Sequence, residues 1–504
     1  MGHEQQHRSG RSSGDGHLLL FPFLAQGHLI PFLNLAKRFE SLGQRGGSGH
    51  RRLDVTIVST PRNVASLRRS LPAGSSIGFA ELPFSPSDHG LPPDAENLEV
   101  VPLEDFPTFF YATELLRPSF DKLLAAELAG RQGRKNVCVL ADMFLGWTAE
   151  SARALGVQHR MFLTSGAYAS AVTFSIWLRP PSFPRPASPD DEQALLDFPD
   201  VRVRYAEFLN VVVKEDYATD PMRAYLCRMI TFHFSLSGGI VVNTSEEIEP
   251  KGLHLIKKLS GLPTFAVGPI IGGRTAPDDT APDQDMCIEF LDSKPQATVL
   301  FVSFGSQNSI PASQMMELAR GLEASGRPFI WVVRPPVEYD GAQGFRDEWL
   351  PDGLEERVAE AEQGVVVRGW APQMRILAHA STGAFLSHCG WNSVLESLWH
   401  GVPVVAWPLI GDQLFDSRVL VELGVGVEVA SGRLVGGLGS KGWECVRDVV
   451  ETVLGDGEKA RDMRRKAAEM KKLVRAAVGA TDGDGMAKAS SVLAMERLLD
   501  SAFD

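Results

Sequence analysis

Residues 370–413 read WAPQMRILAHASTGAFLSHCGWNSVLESLWHGVPVVAWPLIGDQ, and this run predicts an apolar strand, a tight turn and a helix in succession. The strand GAFLS leads into His388, and the helix begins near Asn392 and stops at Gly401. The first turn of a helix offers free backbone N–H groups and the positive end of its dipole, and Gly390 lets the backbone approach a ligand closely. The run therefore predicts a phosphate site between a strand and a helix.

Side chains along the same run suit the other parts of a nucleotide-sugar. Glu396 lies one helical turn after Asn392, on the same face, where its carboxylate can accept two hydrogen bonds from a ribose diol. The indole of Trp370, at the end of the strand-like VVVRG, can stack on a flat base. Asp412 and Gln413 close the run with groups that suit sugar hydroxyls. The run therefore contains groups that can contact each part of a nucleotide-sugar: the base, the ribose, the diphosphate and the sugar.

The run resembles the plant secondary product glycosyltransferase box of family 1 UDP-sugar-dependent glycosyltransferases, because WAPQ, HCGWNS, ES, GVP, WP and a final DQ recur at that box's spacing. The resemblance implies an α/β protein of the GT-B fold, in which two facing Rossmann-like domains with parallel sheets enclose an interdomain cleft. It implies a UDP-sugar site in which Trp370 contacts the base, Gln373 the ribose or the base, and Glu396 the ribose. In the same site His388, Gly390, Asn392, Ser393 and Ser306 lie at the diphosphate, and Trp391, Asp412 and Gln413 lie at the sugar. Ala371 belongs to the same UDP-sugar site.

Strand and helix patterns alternate twice along the chain, which predicts two parallel sheets with crossover helices. The first series of strands is HLLLFPF, LDVTIVS, VCVLA, RMFLT and GGIVVN, and the second is TVLFVSF, PFIWVV, GVVVRG, GAFLS, PVVAW and GVGVEV. A Pro-, Gly- and Asp-rich linker separates the two series. We predict a disordered tail at 1–15, an acceptor-binding Rossmann-like domain at 16–267, the linker at 268–285, a UDP-sugar-binding Rossmann-like domain at 286–480, and, by the resemblance, a C-terminal helix at 481–504 that packs back on the first domain.

Composition excludes several other classes of protein. A chain of 504 residues, 44% of them hydrophobic, can bury two ordinary cores. The net charge of −12 argues against a nucleic-acid partner, and no apolar segment is long enough to cross a bilayer. Five cysteines without a short pairing pattern argue against a disulfide framework and fit a reducing cytosol. We expect a cytoplasmic protein without membrane insertion, and a monomer.

His28 is the candidate catalytic base. It follows the first predicted strand, at the rim where open α/β sheets bind ligands, and imidazole has a suitable pKa for taking a proton from an acceptor hydroxyl. FLAQGHLIPFLNLAKRF also resembles the family's first strand and helix, whose histidine is the base. Two other interpretations compete: His28 as a capping or packing residue, and a dinucleotide dehydrogenase. The second is weak because LAQGH has one glycine where that fold needs a glycine-rich turn.

Asp142 is the candidate partner of His28. It follows the strand VCVLA directly, so it lies on the same rim, and a carboxylate there can fix the imidazole tautomer and stabilise its cation. ADMF also resembles the family's strand-end aspartate. The competing interpretation is an N-cap for the next helix, and the two roles are compatible.

These groups predict a direct displacement at the anomeric carbon that inverts its configuration and gives a β-glycoside. Neither motif holds a second carboxylate placed as a sugar nucleophile, which disfavours a retaining mechanism. Neither motif holds an Asp-x-Asp pair or a similar cluster of oxygen ligands, so we expect no metal and no cofactor.

The reaction predicted is hexosyl transfer, with UDP-glucose as donor substrate, because a glutamine that ends the box favours UDP-glucose in the family. UDP-xylose, UDP-rhamnose and a glucuronosyl donor stay open. The expected acceptor is a hydroxyl of a small lipophilic plant metabolite such as a flavonoid, phenolic or terpenoid, and the sequence does not separate these. The alternative function is a GT-B nucleotide-sugar binding or epimerase-like protein that needs no external acceptor.

Overall fold

The computed structural model describes residues 16–45, 53–130, 136–183, 186, 188–212, 219–272, 282–306, 309–339, 344–431, 441–480 and 489–503. The predicted tail, residues 1–15, lies outside the described residues, and so do residues 273–281 of the predicted linker.

Two groups of strands form the framework of the molecule. The first group is β1 (Gly16–Phe21), β2 (Leu53–Ser59), β3 (Gly78–Glu81), β4 (Val137–Asp142), β5 (Gln158–Leu163), β6 (Glu192–Ala194), β7 (Arg202–Arg204), β8 (Ile240–Val242) and β9 (Thr264–Ala266). The second group is β10 (Val299–Ser303), β11 (Phe329–Val332), β12 (Gly364–Val367), β13 (Thr382–Ser387), β14 (Val404–Ala406) and β15 (Gly426–Glu428).

Helices separate most of these strands. In the first half they are α1 (Gln26–Arg45), α2 (Pro61–Arg69), α3 (Phe106–Thr113), α4 (Arg117–Gly130), α5 (Trp147–Ala154), α6 (Ala167–Leu178), α7 (Tyr205–Val212), α8 (Pro221–Leu236) and α9 (Pro250–Ser260). In the second half they are α10 (Pro282–Asp292), α11 (Ala312–Ala324), α12 (Leu354–Glu360), α13 (Gln373–Ala378), α14 (Trp391–His400), α15 (Gln413–Glu422), α16 (Trp443–Leu454), α17 (Glu458–Ala477) and α18 (Ser490–Phe503).

The strands build two separate parallel sheets, as the sequence predicts. The first has the order β3-β2-β1-β4-β5-β8-β9 and the second the order β12-β11-β10-β13-β14-β15. Both place their first strand inside the sheet, next to a strand that comes later in the chain, which is the arrangement of a Rossmann-like fold. Buried apolar runs such as GHLLLF in β1 and VLFVS in β10 explain why these strands lie inside, since both faces of a parallel sheet are covered by helices.

Four short strands were not predicted from the sequence. Strands β3 and β9 extend the first sheet at its two edges, and β6 and β7 form an antiparallel pair outside it. Strand β3 reads GFAE and is only partly buried, and β9 is three residues long. Neither gives the long apolar run that marks a buried central strand.

The switch in strand order defines one functional edge in each domain. In the first sheet β1 lies between β2 and β4, and in the second β10 lies between β11 and β13. Loops that leave β1 and β4 run in opposite directions, which opens a crevice at the carboxyl ends of these strands. The same holds for β10 and β13. Ligand sites are therefore expected at these two edges.

Helix α18 ends the described chain and packs on the first sheet. Its apolar side chains Ala494, Met495, Leu498 and Ala502 share a buried cluster with residues of β1, β2, β4 and β5. The hydroxyl of Ser491 donates to the carbonyl of Gly268, where the predicted linker begins. We propose to divide the chain at residues 268–285, because the first sheet ends with β9 and the second begins with β10 on either side of this segment.

Candidate active site

A cleft of about 490 Å³ lies between the two domains, within the usual size range of small-ligand pockets. Both switch-point edges contribute to its walls. The predicted site residues that line it are His28, Ser306, Trp370, Ala371, Gln373, His388, Gly390, Trp391, Asn392, Ser393, Glu396, Asp412 and Gln413. Asp142 lies directly behind His28, which it contacts.

His28 and Asp142 form a hydrogen-bonded pair at the edge of the first sheet. The imidazole Nδ1 lies 2.7 Å from Oδ2 of Asp142, whose side chain is fully buried at the end of β4. The other carboxylate oxygen accepts from the backbone N–H of Phe144 at 3.1 Å, so the aspartate also closes the turn after its strand. Thr164, at the end of β5, places its hydroxyl 3.1 Å from the same Nδ1. With Nδ1 held in this way, Nε2 is the ring nitrogen left for the cleft.

The surroundings of His28 shift its basicity. Burial on its own lowers the pKa of the imidazole, but the charge and hydrogen bond of Asp142, with a further contribution from Asp412, raise the pKa above its ordinary value. The rings of Phe23 and Phe144 pack at 5.6 and 5.3 Å between centroids and restrict the imidazole's orientation. The result is a fixed base with one nitrogen committed to a carboxylate.

The start of α14 faces this base from the second domain. Gly390 precedes the helix in an extended conformation, and Cys389 before it adopts a positive φ of 64°, which turns the chain sharply after β13. The N-cap of α14 has no side-chain hydrogen bond, so the first backbone N–H groups of the helix remain for a ligand. Helix N-termini of this kind favour anions such as a diphosphate.

His388 fits between two glycines at this corner. A Cβ added to Gly390 would lie 2.6 Å from Nε2 of His388, and a Cβ added to Gly305 would lie 2.8 Å from the same atom. Burial lowers the pKa of His388 to about 4, so the ring is neutral at pH 7 and can act as a hydrogen-bond donor but not as a cation. Ser306 follows Gly305 in the loop after β10, on the same side of the cleft.

Three polar side chains form a small network on α13 and α14. Nε2 of Gln373 donates to Oε2 of Glu396 at 2.7 Å and to the hydroxyl of Ser393 at 3.1 Å. Burial raises the pKa of Glu396 to about 7, although the Gln373 hydrogen bond acts in the opposite direction. Glu396 also lines the cleft together with Trp370. A carboxylate and an indole therefore lie where a ribose and a base would bind side by side.

Two residues at the start of α14 make hydrogen bonds across the domain boundary. The indole N–H of Trp391 donates to the carbonyl of Asn243 at 2.6 Å, so its contact with a sugar would use the ring rather than the N–H group. The amide of Asn392 donates to the carbonyl of Gly27, the residue before His28, at 3.1 Å. The sequence predicted a diphosphate contact for Asn392 and did not predict this bridge between the two halves of the site.

Asp412 and Gln413 lie in the loop after β14 and at the start of α15. The side-chain oxygen of Gln413 accepts from the backbone N–H groups of Leu409 and Ile410 at 3.1 and 3.2 Å. This arrangement fixes the amide orientation and directs its NH₂ group away from those donors. Gln413 can therefore donate to a sugar hydroxyl, while the carboxylate of Asp412 can accept from one.

The wall of the cleft beyond His28 includes one face of a helix from the first domain. Helix α6 contributes Ser170, Thr173, Phe174 and Trp177 to its wall, and these positions form one face of the helix. The sequence of α6 is apolar on all sides, so its period did not reveal which face lines a cavity. Phe144 also lines the cleft, while Phe109, Phe110 and Trp147 belong to the core.

Two Rossmann-like domains that enclose a cleft, with a helix N-terminus on one wall and a histidine–aspartate pair on the other, are the arrangement of a GT-B glycosyltransferase. A family model described as "UDP-glucoronosyl and UDP-glucosyl transferase" matches residues 266–451. UDP-glycosyltransferase 92A1 of Arabidopsis thaliana is 37% identical, over 96% of this chain and 96% of the relative. Crocetin glucosyltransferase 3 of Crocus sativus is 34% identical, over 81% of this chain and 84% of the relative.

A solved structure agrees in fold over nearly the whole chain. UGT73P12 of Glycyrrhiza uralensis, complexed with glycyrrhetinic acid 3-O-monoglucuronide, aligns with a TM-score of 0.77 and 26% identity over 96% of both chains. The chain therefore belongs to the plant family 1 UDP-glycosyltransferases and transfers a sugar from a UDP-sugar donor. The GT-B fold and the family predicted from the sequence are confirmed.

Two kinds of feature are absent from the described residues. Within those ranges, no helix combines the length and apolar character needed to cross a membrane. Over the same part of the chain, no three His, Cys, Asp or Glu side chains are grouped so that they could hold a metal ion.

Proposed function

We propose that this enzyme transfers glucose from UDP-glucose to a hydroxyl of a small, uncharged, lipophilic plant metabolite and produces a β-glucoside. The observation that carries the proposal is the His28–Asp142 pair, which lies across the cleft from the N-terminus of α14. One side of the cleft can take a proton, and the other can hold a diphosphate. These are the two groups that sugar transfer from a nucleotide to an alcohol requires.

In the proposed mechanism, Nε2 of His28 takes the proton of the acceptor hydroxyl as its oxygen attacks the anomeric carbon. The bond between that carbon and the diphosphate oxygen breaks, and UDP leaves toward the α14 N-terminus. The imidazolium is stabilised by the hydrogen-bonded carboxylate of Asp142. Attack comes from the face opposite the leaving group, so an α-linked donor gives a β-linked product.

The proposed stabilisation of the leaving diphosphate uses protein donors and no metal. The backbone N–H groups at the start of α14, the neutral imidazole of His388, and the side chains of Ser306, Asn392 and Ser393 lie around the same corner of the cleft. Preoriented donors of this kind stabilise negative charge as it develops. For Asn392 this requires its amide to exchange the carbonyl of Gly27 for the diphosphate.

Glucose is the proposed donor sugar because of the polar groups near α15. The NH₂ group of Gln413 and the carboxylate of Asp412 offer one donor and one acceptor to neighbouring sugar hydroxyls. The relative from Crocus sativus, named a crocetin glucosyltransferase, supports the same sugar.

The proposed acceptor class follows from the wall of the cleft beyond His28. Met143, Phe144, Phe174 and Trp177 provide apolar surface, and Thr164, Ser165, Ser170 and Thr173 provide hydroxyls without charge. Such a lining favours an uncharged, largely apolar molecule with few polar groups.

We also propose that the enzyme works as a monomer in the cytosol. The support for the location is the set of five cysteines without a pairing pattern, which fits a reducing compartment. Size-exclusion chromatography with light scattering, and microscopy of a fluorescent fusion, test these two points separately.

The test of the proposed function is incubation with UDP-glucose and a panel of phenolic, flavonoid and terpenoid aglycones, followed by mass spectrometry. The expected product is an aglycone heavier by one hexosyl unit, with a β-configured anomeric proton by NMR. The His28→Ala variant should lose this product and still bind UDP with nearly unchanged affinity, since His28 lies on the opposite wall. Turnover of UDP-glucose without any acceptor, or full activity of His28→Ala, would contradict the proposal.

A further inference from the structure

Helix α15 connects the two domains at the active site. It follows β14 of the second sheet, yet Leu414, Phe415 and Val419 on this helix belong to the buried core of the first domain. Its first turn carries Gln413 and is preceded by Asp412, both of which line the cleft. Any interaction that fixes α15 against the first domain therefore also fixes the two groups assigned to the sugar.

Asp416 lies one turn into α15 and is fully buried. Among the described residues neither of its carboxylate oxygens has a hydrogen-bond partner, which is unusual for a buried polar group. A buried carboxylate without a partner is strongly disfavoured, and such a group takes up a proton instead. Asp416 is therefore expected to be a neutral, protonated acid in the folded protein.

Glu249 is the acidic neighbour of Asp416 on the first domain. A Cβ placed on Gly166 would lie 2.7 Å from Oδ1 of Asp416 and 3.0 Å from Oε1 of Glu249, so the two side chains approach each other across this glycine. The ring of Trp391 lies 3.1 Å from the same point and covers the pair. Two acidic side chains from different domains thus share one enclosed space, and Gly166 has no side chain that would separate them.

Glu249 has the stronger reason to keep its negative charge, although burial raises its pKa as well, because two backbone hydrogen bonds lower it again. Its two oxygens accept from the backbone N–H groups of Ala167 and Tyr168, at 2.9 Å each, at the start of α6. Gly166, the N-cap residue of α6, provides no side-chain hydrogen bond, so Glu249 replaces it as the cap. An ionised carboxylate is also favoured by the helix dipole at this position.

We propose that Asp416 and Glu249 carry a single negative charge between them, with Asp416 as the protonated member, and that the absence of a second charge lets α15 stay packed against α6. Asp416 is then a positioning residue: it acts on sugar transfer through the placement of Asp412 and Gln413, without contact with the substrate. The effect on the donor rests on the proposed function. The protonation of Asp416 and the packing of α15 do not, because they are properties of the folded protein alone.

The charges around Asp416 agree with a neutral acid. Burial raises its pKa well above the usual range, and the negative charges of Asp412, on its own helix, and Glu249, from the segment before α9, raise it further. From the loop after β13, the Cys389 thiol also faces Asp416, and burial raises the pKa of that thiol so that it stays neutral. Among the described groups that act on Asp416, none is a cation.

The pair makes stability depend on pH in a defined direction. In the unfolded chain Asp416 loses its proton near pH ~4, whereas the folded protein keeps that proton to a higher pH. The folded state binds more protons in this interval, so stability falls as pH rises from about 4 through the raised pKa of the folded state. An amide at position 416 does not titrate, and this loss of stability would disappear.

The experiment measures the melting temperature of the full chain from pH 5 to pH 9 for the wild type and for Asp416→Asn. We expect the two proteins to melt at similar temperatures at pH 5 and the variant to melt progressively higher as pH rises, with the difference growing by roughly 1–3 °C per pH unit until Asp416 ionises in the folded wild type. Asp200→Asn, an exposed position, serves as the control and should follow the wild type. A variant curve parallel to that of the wild type, or one that falls below it with rising pH, would overturn the proposal.

Glu249→Gln gives a second and independent measurement. The glutamine loses one of the two oxygens that cap α6, so the melting temperature should fall at every pH. Its neutral amide also removes one charge that raises the pKa of Asp416, so the decline of melting temperature with pH should become shallower than in the wild type. An unchanged decline would refute the coupling of the two acids even if Asp416→Asn proved too unstable to measure.

The effect on the active site is read from the KM for UDP-glucose. We expect the ratio of the wild-type KM to that of Asp416→Asn to rise at least threefold between pH 5 and the pH at which Asp416 ionises in the folded protein, with the wild-type kcat falling relative to that of the variant over the same interval, since both depend on the placement of Asp412 and Gln413. A pH dependence of KM that is the same in both proteins would refute the positioning role. The melting measurements need no substrate, so failure of the proposed function would leave them interpretable.

Discussion

The replacement of Asp142 by asparagine tests the arrangement of the catalytic base. In the wild type one oxygen of Asp142 accepts from the Phe144 backbone N–H and the other from Nδ1 of His28. An asparagine keeps its carbonyl oxygen on the backbone N–H, because its NH₂ group would meet another donor there. The NH₂ group then faces Nδ1, which must be unprotonated to accept from it. The hydrogen of the neutral ring moves to Nε2, and the nitrogen that faces the acceptor can no longer take a proton.

The size of the effect follows from this change of tautomer. General base catalysis contributes about 10²- to 10⁴-fold to a rate, and Asp→Asn in a Ser-His-Asp triad costs about 10⁴-fold in kcat for the same reason. We expect Asp142→Asn to lower kcat by about 10²- to 10⁴-fold. The KM for UDP-glucose and the affinity for UDP should stay close to those of the wild type, because the donor binds the other wall of the cleft.

The assay is steady-state kinetics with UDP-glucose and an aglycone that the wild type glucosylates, together with calorimetric titration of UDP. Since Asp142 acts through His28, the double variant with His28→Ala should be no slower than His28→Ala alone. A kcat within tenfold of the wild type for Asp142→Asn, or losses that add in the double variant, would refute this reasoning. Circular dichroism on the same samples checks that the fold is intact.

Three further predictions concern the same cleft. The acid limb of kcat/KM should have its midpoint above pH 6.5, because His28 must be neutral to act as a base. Burial lowers the pKa of His28, but its carboxylate neighbours raise the pKa above its ordinary value. A pH profile with a midpoint below 6 would contradict this. The KM for UDP-glucose should fall as pH rises through about 7, where the buried Glu396 ionises, and Glu396→Gln should abolish that dependence and weaken donor binding by about 10- to 100-fold. Gly390→Ala should cost about 1–3 kcal/mol in stability or UDP binding, because its Cβ would lie 2.6 Å from Nε2 of His388. Gly457 has open space around the position of a Cβ, so Gly457→Ala serves as the control and should change neither quantity. Stability is measured by thermal shift and UDP binding by titration.

The sequence predicted the strands that carry the site because each of them is a buried apolar run with a polar residue at its carboxyl end. His28 after β1 and Asp142 at the end of β4 come from adjacent parallel strands, so their proximity follows once the sheet order is known. Thr164, at the end of β5, has the same kind of position and could have been found by the same rule. It was missed because a threonine at a strand end has no distinctive chemistry in the sequence.

Other features could not be predicted because they depend on contacts between distant segments. The face of α6 that lines the cleft has no periodic signal in an apolar helix. The bridge from Asn392 to Gly27 joins residues of different domains, and so does the acid pair of Asp416 and Glu249. A residue in these contacts has an ordinary local sequence, and only the packing of the two domains gives it a particular role.

The contacts across the cleft explain how a base on one domain can be aligned with a donor on the other. The indole of Trp391 donates to Asn243 and α15 inserts apolar side chains into the first core, while Asn392 holds the backbone beside His28 until its amide turns to the diphosphate. Sugar transfer needs the acceptor oxygen and the anomeric carbon within about 3–3.5 Å, and a small error in alignment costs a large factor in rate. Because these interdomain contacts lie at the N-termini of α14 and α15, where diphosphate and sugar would bind, the same short segments bind the donor and set its distance from the base. A substitution in these segments should therefore change kcat and the KM for the donor together, whereas a substitution on α6 should change the KM for the acceptor.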